Sequence, residues 1–226
     1  MTLLVIVCSC KKDDSVNPTD IGLIIENKDW YILTAPDSRE IIAAYGDIDA
    51  SLVITDGKNI YKTTDKGKTW QDGGYDSNSG LFGFAAKNDT LSALNVLSKY
   101  SDHGDDLFAT NPFYYSLDQG SSWSPYPPSY RDEQTAVVTN RVKSASGIEY
   151  LVNREESGGY IENKSIKNSL GAIITLPSRH QINSLFLDSK SRIYISASAA
   201  LCGSGSEFSY CGTQNGILYI SKNAQP

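Results

Sequence analysis

The chain has 226 residues, of which 40% are hydrophobic and 20% charged, and this composition excludes a largely disordered protein. Its formal net charge of −6 argues against nucleic acid as a partner, because binding to a phosphate backbone needs clustered Lys and Arg. Fourteen Tyr and 18 Gly residues favour strands and turns over helices.

The start of the chain has the features of an export signal. Thr2–Val7 is an apolar run that is far too short to cross a bilayer, so we interpret it as the end of a signal-peptide hydrophobic region. The segment Val7–Cys10 that ends this run resembles a bacterial lipobox, and the resemblance implies that Cys10 is lipidated. Because no Lys or Arg precedes the apolar run, an upstream start and an ordinary cleaved signal are the alternatives.

The residues after the lipobox suggest a location. Lys11–Asp14 resembles the surface-export signal of Bacteroidetes lipoproteins, a Cys followed by basic and then paired acidic residues. This resemblance implies an outer-membrane lipoprotein exposed at the cell surface and held by acyl chains, at about 0.8 kcal/mol per buried methylene. We therefore expect a signal-peptide remnant at 1–9, a lipidated tether at 10–20 and a folded domain at 21–226.

From Ile21 onward, short β-rich runs alternate with turn-forming clusters, and no stretch has a sustained 3.6-residue period. The predicted strands are Gly22–Glu26, Trp30–Leu33, Ile41–Tyr45, Ser51–Thr55, Asn59–Thr63, Leu81–Lys87, Phe113–Ser116, Gln134–Asn140, Glu149–Asn153, Gly159–Asn163, Ala172–Leu176, Asn183–Asp188, Arg192–Ala197 and Gly216–Ser221. Thr90–Tyr100 has the composition of a helix, but its two-residue alternation predicts a further strand.

Two octets carry an internal repeat. Thr63–Trp70 and Ser116–Trp123 share the pattern Ser/Thr-x-Asp-x-Gly-x-Ser/Thr-Trp, and each follows an aromatic strand. The pattern resembles the Asp-box, or BNR repeat, of sialidase-like and sortilin-like β-propellers. In such a turn the carboxylate accepts backbone N–H groups, Gly adopts a positive φ and Trp packs beneath. The residues expected to build the turns are Thr63, Asp65, Gly67, Trp70, Ser116, Asp118, Gly120 and Trp123.

The spacing of the repeat predicts the number of units. Asp118 follows Asp65 by 53 residues, and Asn223, in what looks like the first half of a third box, follows Asp118 by 105. Gly159–Asn163 is interpreted as the matching strand of a unit without a box. We therefore predict an all-β fold, a small propeller of four antiparallel blades closed by an N-terminal strand. Five blades, or a fragment of a larger ring, are the alternatives.

Cys202 and Cys211 lie nine positions apart in a Gly/Ser-rich segment. In an exported protein this arrangement favours a disulfide. A metal site is the weaker alternative, because neither a His nor a second Cys pair lies nearby.

The Asp-box resemblance raises the question of sialidase chemistry, which would require an arginine triad, an early Arg-Ile-Pro motif and a Tyr–Glu nucleophile pair. None of the six arginines lies in an Arg-Ile-Pro context, and the chain is short for six blades. We therefore predict no catalytic residue and no cofactor. Asp65 and Asp118 are interpreted as structural and not as calcium ligands.

Two further segments and one histidine are candidate sites. Asp102, Asp105 and Asp106 are weak candidates for a divalent cation, against the alternative of a solvated acidic loop. His180 has no partner that the sequence reveals. Tyr126 and Tyr130, in a Pro/Tyr-rich loop, form either part of a rigid connector or a platform for a glycan or protein.

The leading functional hypothesis is a non-catalytic cell-surface lipoprotein that binds a glycan, peptide or protein. The alternatives are a glycan-active hydrolase of the sialidase-like class and an assembly or scaffold factor. Because one propeller fold serves many functions, the choice between them depends on the site and not on the fold.

Overall fold

A computed structural model describes residues 24–127, 135–157, 160–203 and 209–226. Cys10 and the expected tether lie outside this part of the chain, as does Tyr130. The described residues contain no helix with the length and hydropathy that crossing a membrane requires.

The regular elements of the described residues are strands. In chain order they are β1 Ile24–Glu26, β2 Trp30–Thr34, β3 Ala43–Gly46, β4 Leu52–Thr55, β5 Ile60–Thr63, β6 Gln71–Asp72, β7 Gly83–Lys87, β8 Thr90–Lys99, β9 Leu107–Ser116, β10 Ser124–Pro125, β11 Ala136–Val138, β12 Arg141–Lys143, β13 Glu149–Ser157, β14 Tyr160–Asn168, β15 Ile173–Thr175, β16 Ile182–Leu187, β17 Ile193–Ala197, β18 Leu201–Cys202, β19 Ser209–Tyr210 and β20 Ile217–Ser221.

These strands form four antiparallel sheets and one small hairpin within the described residues. Blade 1 has the order β3-β4-β5-β6, blade 2 the order β7-β8-β9-β10 with β11 also paired to β9, and blade 3 the order β12-β13-β14-β15. Blade 4 has the order β16-β17-β20-β2-β1, and β18 pairs with β19 beside it. The innermost strands contact one another between blades 1 and 2 (β3 and β7), blades 3 and 4 (β12 and β16) and blades 4 and 1 (β16 and β3). The chain is a four-bladed β-propeller.

The ring is closed by the N-terminal strands, as the sequence predicted. Strand β2 pairs with β20 in a register that places Leu33 opposite Leu218 and Trp30 opposite Ser221. Leu33 and Leu218 are fully buried, so closure joins the two ends of the chain through the core and not only through backbone hydrogen bonds. Closure also leaves β20 without an exposed edge, since β2 covers the side that β17 does not.

Three of the four interfaces between blades contain buried apolar clusters within the described residues. Leu33, Tyr194 and Leu218 of blade 4 pack with Leu52 and Ile54 of blade 1. A second cluster joins blades 1 and 2, and includes Val53, Ile60, Phe84 and Trp123. A third joins blades 3 and 4, and includes Tyr150, Ile166, Leu185 and Tyr219. No comparable apolar cluster joins blades 2 and 3 within the described residues.

The strand prediction was incomplete in blades 2 and 3. Thr90–Lys99 is a strand, as predicted, but its partner β9 begins at Leu107, well before the predicted Phe113. Pro112 lies inside β9 at a bulge, where Asn111 has a φ of 57° and Asn95 Oδ1 accepts the Phe113 N–H at 3.1 Å. A proline in a strand normally indicates an edge or an end, and the bulge is what accommodates it.

Candidate functional site

The interface between blades 2 and 3 contains a cavity of about 460 Å³ that is lined by more polar than apolar residues. The apolar lining residues are Leu107, Leu151, Val152, Ile161 and Ile182. Its polar lining comes from the β8–β9 loop of blade 2, from β12 to β14 of blade 3 and from the start of β16. The polar lining residues are Asp105, Asn140, Arg141, Asn153, Arg154, Asn163, Lys167 and Asn183.

Two β-bulges place asparagines in this lining. In blade 3, Asn153 pairs with Ser165 and Arg154 pairs with Asn163, which leaves Lys164 as the extra residue. In blade 4, Ile182 pairs with Ala197 and Ser184 with Ser196, which leaves Asn183 as the extra residue on the innermost strand. Bulges re-aim side chains and are frequent beside functional sites. The wall of the cavity is therefore formed where the regular ladders of both blades are interrupted.

The side-chain amides of the cavity asparagines differ in which of their polar atoms have a hydrogen-bond partner. Both polar atoms of the Asn140 side chain are engaged, because its Oδ1 accepts the Leu107 N–H at 2.8 Å and its Nδ2 donates to the Asp105 carbonyl at 2.8 Å. Asn183 donates through Nδ2 to Glu40 Oε2 and to the Ile41 carbonyl, at 2.9 and 3.0 Å.

Asn153 is held in the same way within blade 3, since its Nδ2 donates to Glu155 and Ser165 at 2.9 and 3.0 Å. The Oδ1 atoms of Asn153 and Asn183, and the whole side-chain amide of Asn163, have no hydrogen bond to the described residues. The cavity therefore offers fixed acceptors together with one free amide.

The charges around the cavity are only partly paired. Arg141 forms ion pairs with Asp106 at 2.8 Å and Glu149 at 3.2 Å, and so serves to join blades 2 and 3. Asp105 pairs with Lys99 at 2.8 Å, and this contact holds the pKa of Asp105 below its usual range. Arg154 and Lys167 form no ion pair with any described residue. In a chain with a net charge of −6, this cavity is a local concentration of positive charge.

The two octets form turns with the same hydrogen bonds. Thr63 Oγ1 donates to Asp65 Oδ1 and accepts the Gly67 N–H, both at 2.8 Å, while Asp65 accepts the backbone N–H and the hydroxyl of Thr69 at 2.9 and 2.6 Å. Ser116, Asp118, Gly120 and Ser122 repeat this pattern at 2.7, 2.8, 2.9 and 2.7 Å. Burial would raise the pKa of Asp118, but the donors of Ser122 and Ser116 outweigh it and hold the pKa at about 2.

The glycines of these turns pack each turn against the preceding blade. Gly67 has a φ of 83°, and a Cβ there would lie 2.6 Å from Leu33 Cδ2 of blade 4. Gly120 has a φ of 87°, and a Cβ there would lie 2.3 Å from Val53 Cγ1 of blade 1. Trp123 is buried against Phe84, with ring centroids 5.9 Å apart, and Trp70 packs on the cluster between blades 4 and 1. All these contacts are with the protein's own core, on elements away from the cavity.

A buried charge network joins blades 4 and 1. The Arg192 guanidinium, 7% exposed, forms ion pairs with Asp188 at 2.7 Å, with Asp49 at 2.7 Å and with Asp47. The Tyr194 hydroxyl donates to Asp188 Oδ2 at 3.0 Å and accepts the Ile48 N–H at 2.9 Å. Burial would lower the pKa of Arg192, but its contacts with Asp188 and Asp49 outweigh burial and raise it. The guanidinium is therefore charged at every ordinary pH.

The acidic loop of blade 2 does not assemble a metal site. Asp105 and Asp106 are engaged by Lys99 and Arg141, and Asp102 lies 3.9 Å from the exposed His103. No group of three or more His, Cys, Asp or Glu among the described residues is arranged to hold a metal ion. Asp105 instead contributes to the cavity lining.

Tyr126 lies away from the cavity. Its hydroxyl is 2.9 Å from Ser92 Oγ, and its ring packs on Tyr115 with centroids 4.8 Å apart. Tyr126 is thus bound to blade 2, and Tyr130, the other half of the expected platform, lies outside the described residues.

His180 has partners that the sequence did not reveal. It is 1% exposed; its Nδ1 lies 2.8 Å from the Ser198 carbonyl and its Nε2 lies 2.8 Å from the Tyr219 hydroxyl. Because a carbonyl only accepts, Nδ1 carries the proton and Nε2 accepts from Tyr219. Burial lowers the pKa of His180, so the ring is a neutral hydrogen-bond link in the core of blade 4.

Asp37 and Asp56 form a carboxyl pair beside Tyr61 and Arg39. Burial, then the hydrogen bond with Asp56 and its charge, raise the pKa of Asp37 to about 6. Burial also acts to raise the pKa of Asp56, but the backbone N–H of Asn59 and the Asp37 carboxyl outweigh it and lower that pKa. The pair therefore holds one proton in mildly acidic solution, and Asp37 holds it.

The substitution Asp37→Asn should remove a pH-dependent loss of stability. A raised pKa means that the stabilising contribution of Asp37 is full below about pH 4 and is lost as the pH rises through about 6. As the pH rises from 4.5 to 7.5, we expect the free energy of unfolding of Asp37→Asn to increase by about 1–2 kcal/mol relative to that of the parent protein, after allowance for the partial exposure of the side chain. Urea unfolding of both proteins at the two pH values measures this gain, and a pH-independent difference would contradict the assignment of the proton.

Cys202 and Cys211 form a disulfide, with their Cα atoms 5.2 Å apart, that links β18 to β19. It closes the loop that connects β17 to β20 in blade 4. This link agrees with the pairing predicted from the sequence.

Replacing both cysteines by Ser should lower the free energy of unfolding by about 2–3 kcal/mol, because the unfolded chain regains the freedom of a short loop. Urea unfolding of the parent protein, with and without reductant, and of Cys202→Ser/Cys211→Ser measures it. The double variant should show no response to reductant. A variant as stable as the oxidised parent would contradict a stabilising disulfide.

No protein-family model and no curated protein matches the chain. Among solved structures, it is similar to an extracellular domain from B. thetaiotaomicron described as part of a one component system, with 11% identity, a TM-score of 0.28 and coverage of 76% of this chain and 22% of that one. It is also similar to a streptogramin B lyase, with 12% identity, a TM-score of 0.27 and coverage of 84% and 58%. The chain thus spans less than two thirds of either protein, and its ligand has to be argued from its own residues.

Proposed function

We propose that this chain is a non-catalytic binding module that holds a saccharide in the cavity between blades 2 and 3. The observation that carries the proposal is the contrast among the interfaces between blades. Three contain a buried apolar cluster, and the interface between blades 1 and 2 has an open cavity of about 490 Å³ beside its cluster. The described residues of the fourth form no such cluster, and eight of the residues that line its cavity are polar. Packing alone would favour an apolar interface there as well, so the polar lining points to a ligand.

The lining suits a hydroxyl-bearing ligand. The Oδ1 atoms of Asn153 and Asn183 are held by their own amides and can accept hydroxyl donors without reorganisation. Leu107, which is partly exposed, and Ile161, which is exposed, offer apolar surface for the C–H face of a sugar ring. A volume of about 460 Å³ lies within the range of small-molecule sites.

We also propose a cellular location and a relation to a family of propellers. Cys10 in its lipobox setting supports an exported lipoprotein exposed at the outer membrane, and the Cys202–Cys211 disulfide supports an oxidising compartment. The identical turns at Asp65 and Asp118 support a relation to Asp-box propellers. In this account those turns build the scaffold and take no part in binding.

A hydrolase is less well supported by the lining. Glycosidases commonly act with two carboxyl groups across the scissile bond. Asp105 is the one carboxylate among the described lining residues, its side chain is 84% exposed and it is paired with Lys99.

A glycan array followed by titration calorimetry tests the proposed function. We expect binding of the parent protein to at least one class of saccharide and a loss of about tenfold in affinity for Asn163→Ala, which removes the free amide. Asn78→Ala is the matched control, because Asn78 is exposed and outside the cavity lining. Failure to bind any saccharide, binding unaffected by Asn163→Ala, or release of reducing ends from a bound ligand would each contradict the proposal.

A further inference from the structure

We propose that the saccharide held between blades 2 and 3 is acidic, and that its carboxylate pairs with Arg154. This inference rests on the proposed function and narrows its ligand class. The cavity lining also carries charged side chains, and binding of a neutral saccharide by the asparagine amides does not account for them.

Arg154 is an unused cation on the cavity wall. It lies opposite the bulge of β14, pairs across the sheet with Asn163 and lines the cavity. Its side chain forms no hydrogen bond or ion pair with the described residues, whereas Arg141, also in the lining, is held by Asp106 and Glu149. A guanidinium is planar and binds carboxylates through two parallel N–H donors, so Arg154 is free to bind such a group.

The remaining charges of the lining support an anionic ligand. Lys167 is exposed, lies on β14 and is also unpaired within the described residues. Asp105 is the one opposing charge, and Lys99 offsets it at 2.8 Å. The pKa of Asp105 is held down by Lys99 and, more weakly, by the charge of Arg154. The unpaired charge of the wall is therefore positive.

The same residues favour a saccharide over an acidic peptide. Asn153 and Asn183 present acceptor oxygens, which match the many hydroxyl donors of a sugar, and Asn163 can both donate and accept. An acidic saccharide combines these hydroxyls with carboxylates on the same ring. Such a ligand satisfies the amide oxygens and the guanidinium at once.

Calorimetry with three probes tests this inference. The probes are a tetrameric galacturonate, its methyl ester and a tetraglutamate peptide. The free acid and the ester differ in charge and share their hydroxyls, so the ester isolates the contribution of the carboxylates. We expect the acid to bind at least about tenfold more tightly than the ester, and the preference to weaken as salt is added.

Variants then test which residues cause the preference for the free acid over the ester. Arg154→Gln should lower affinity for the acid about tenfold and leave affinity for the ester within about twofold. Asp105→Asn should strengthen binding of the acid, because it removes the one opposing carboxylate. Lys28→Gln, an exposed cation outside the cavity lining, should change neither. None of these side chains is buried in the core, and thermal melting checks that each variant is folded.

The outcomes separate this inference from the proposed function. Equal binding of acid and ester, with both weakened by Asn163→Ala, would overturn the acidic ligand and leave a neutral-saccharide site. Equal losses of both ligands in Arg154→Gln would likewise overturn the role of Arg154. Tighter binding of tetraglutamate than of the galacturonate would overturn the saccharide class, and binding of neither saccharide would overturn this inference.

Discussion

Arg192→Met should lower the free energy of unfolding by about 3–5 kcal/mol, because it leaves the buried Asp188 carboxylate without its cation. The side chain of Asp188 is only 1% exposed and would keep the backbone N–H groups at 190 and 192 and the Tyr194 hydroxyl as donors, but no positive charge. Asp47 and Asp49 would keep Lys190, which is half exposed, as a partner. The network lies between the turns of blades 4 and 1, so the substitution tests the interface between these two blades. Urea unfolding at neutral pH measures the effect.

Lys190→Met is the control for this prediction. Lys190 contacts the same two carboxylates at 3.0 and 2.9 Å, but its side chain is 51% exposed and solvent screens its charge. Its loss should cost less than about 1 kcal/mol. Equal effects of the two substitutions would mean that burial does not set the strength of this network.

Gly120→Ala should lower the free energy of unfolding by about 2–5 kcal/mol. The positive φ of 87° accounts for about 1–2 kcal/mol, and the contact of a new Cβ with Val53 adds about 1–3 kcal/mol. The second effect should fall on the interface between blades 1 and 2, where Val53 and Trp123 pack in one cluster. Chemical unfolding followed by Trp fluorescence reports on this region directly.

Gly104→Ala separates the two contributions. Gly104 also has a positive φ, of 62°, but a Cβ there would meet nothing within 4 Å. This variant should therefore lose only the conformational part, about 1–2 kcal/mol. If the two substitutions lower the free energy of unfolding equally, the Asp118 turn does not pack against Val53 of blade 1.

The blades could be predicted because each carries one recognisable strand. β5, β9, β14 and β20 are the third strands of their sheets, and the sequence places an aromatic or Ile-Tyr run at each. The N-terminal closure followed from a last unit that lacked its outer strand. β12, Arg141–Lys143, was missed because three residues with two charges carry no alternating apolar pattern, and its place in the sheet comes from pairing with β13.

The cavity could not be predicted from the same patterns. Asn153 and Asn183 were read as ends of strands, since nothing in the sequence reveals a bulge that places one extra residue opposite its partner. The sequence offers Asp102, Asp105 and Asp106 together as weak candidates for a cation site, with a solvated acidic loop as the alternative. In the fold, Asp106 pairs with Arg141 and Asp105 with Lys99. The contact of Asp106 is with a residue distant in sequence, which adjacency in the chain does not reveal.

A crystal structure of the protein with the tightest saccharide from the array tests the proposed site most directly. We predict ligand density between blades 2 and 3, with hydroxyls at Asn153, Asn163 or Asn183 and a carboxylate at Arg154. Ligand bound instead at the Asp65 or Asp118 turns, or on the Tyr126 loop, with the cavity between blades 2 and 3 empty, would contradict it.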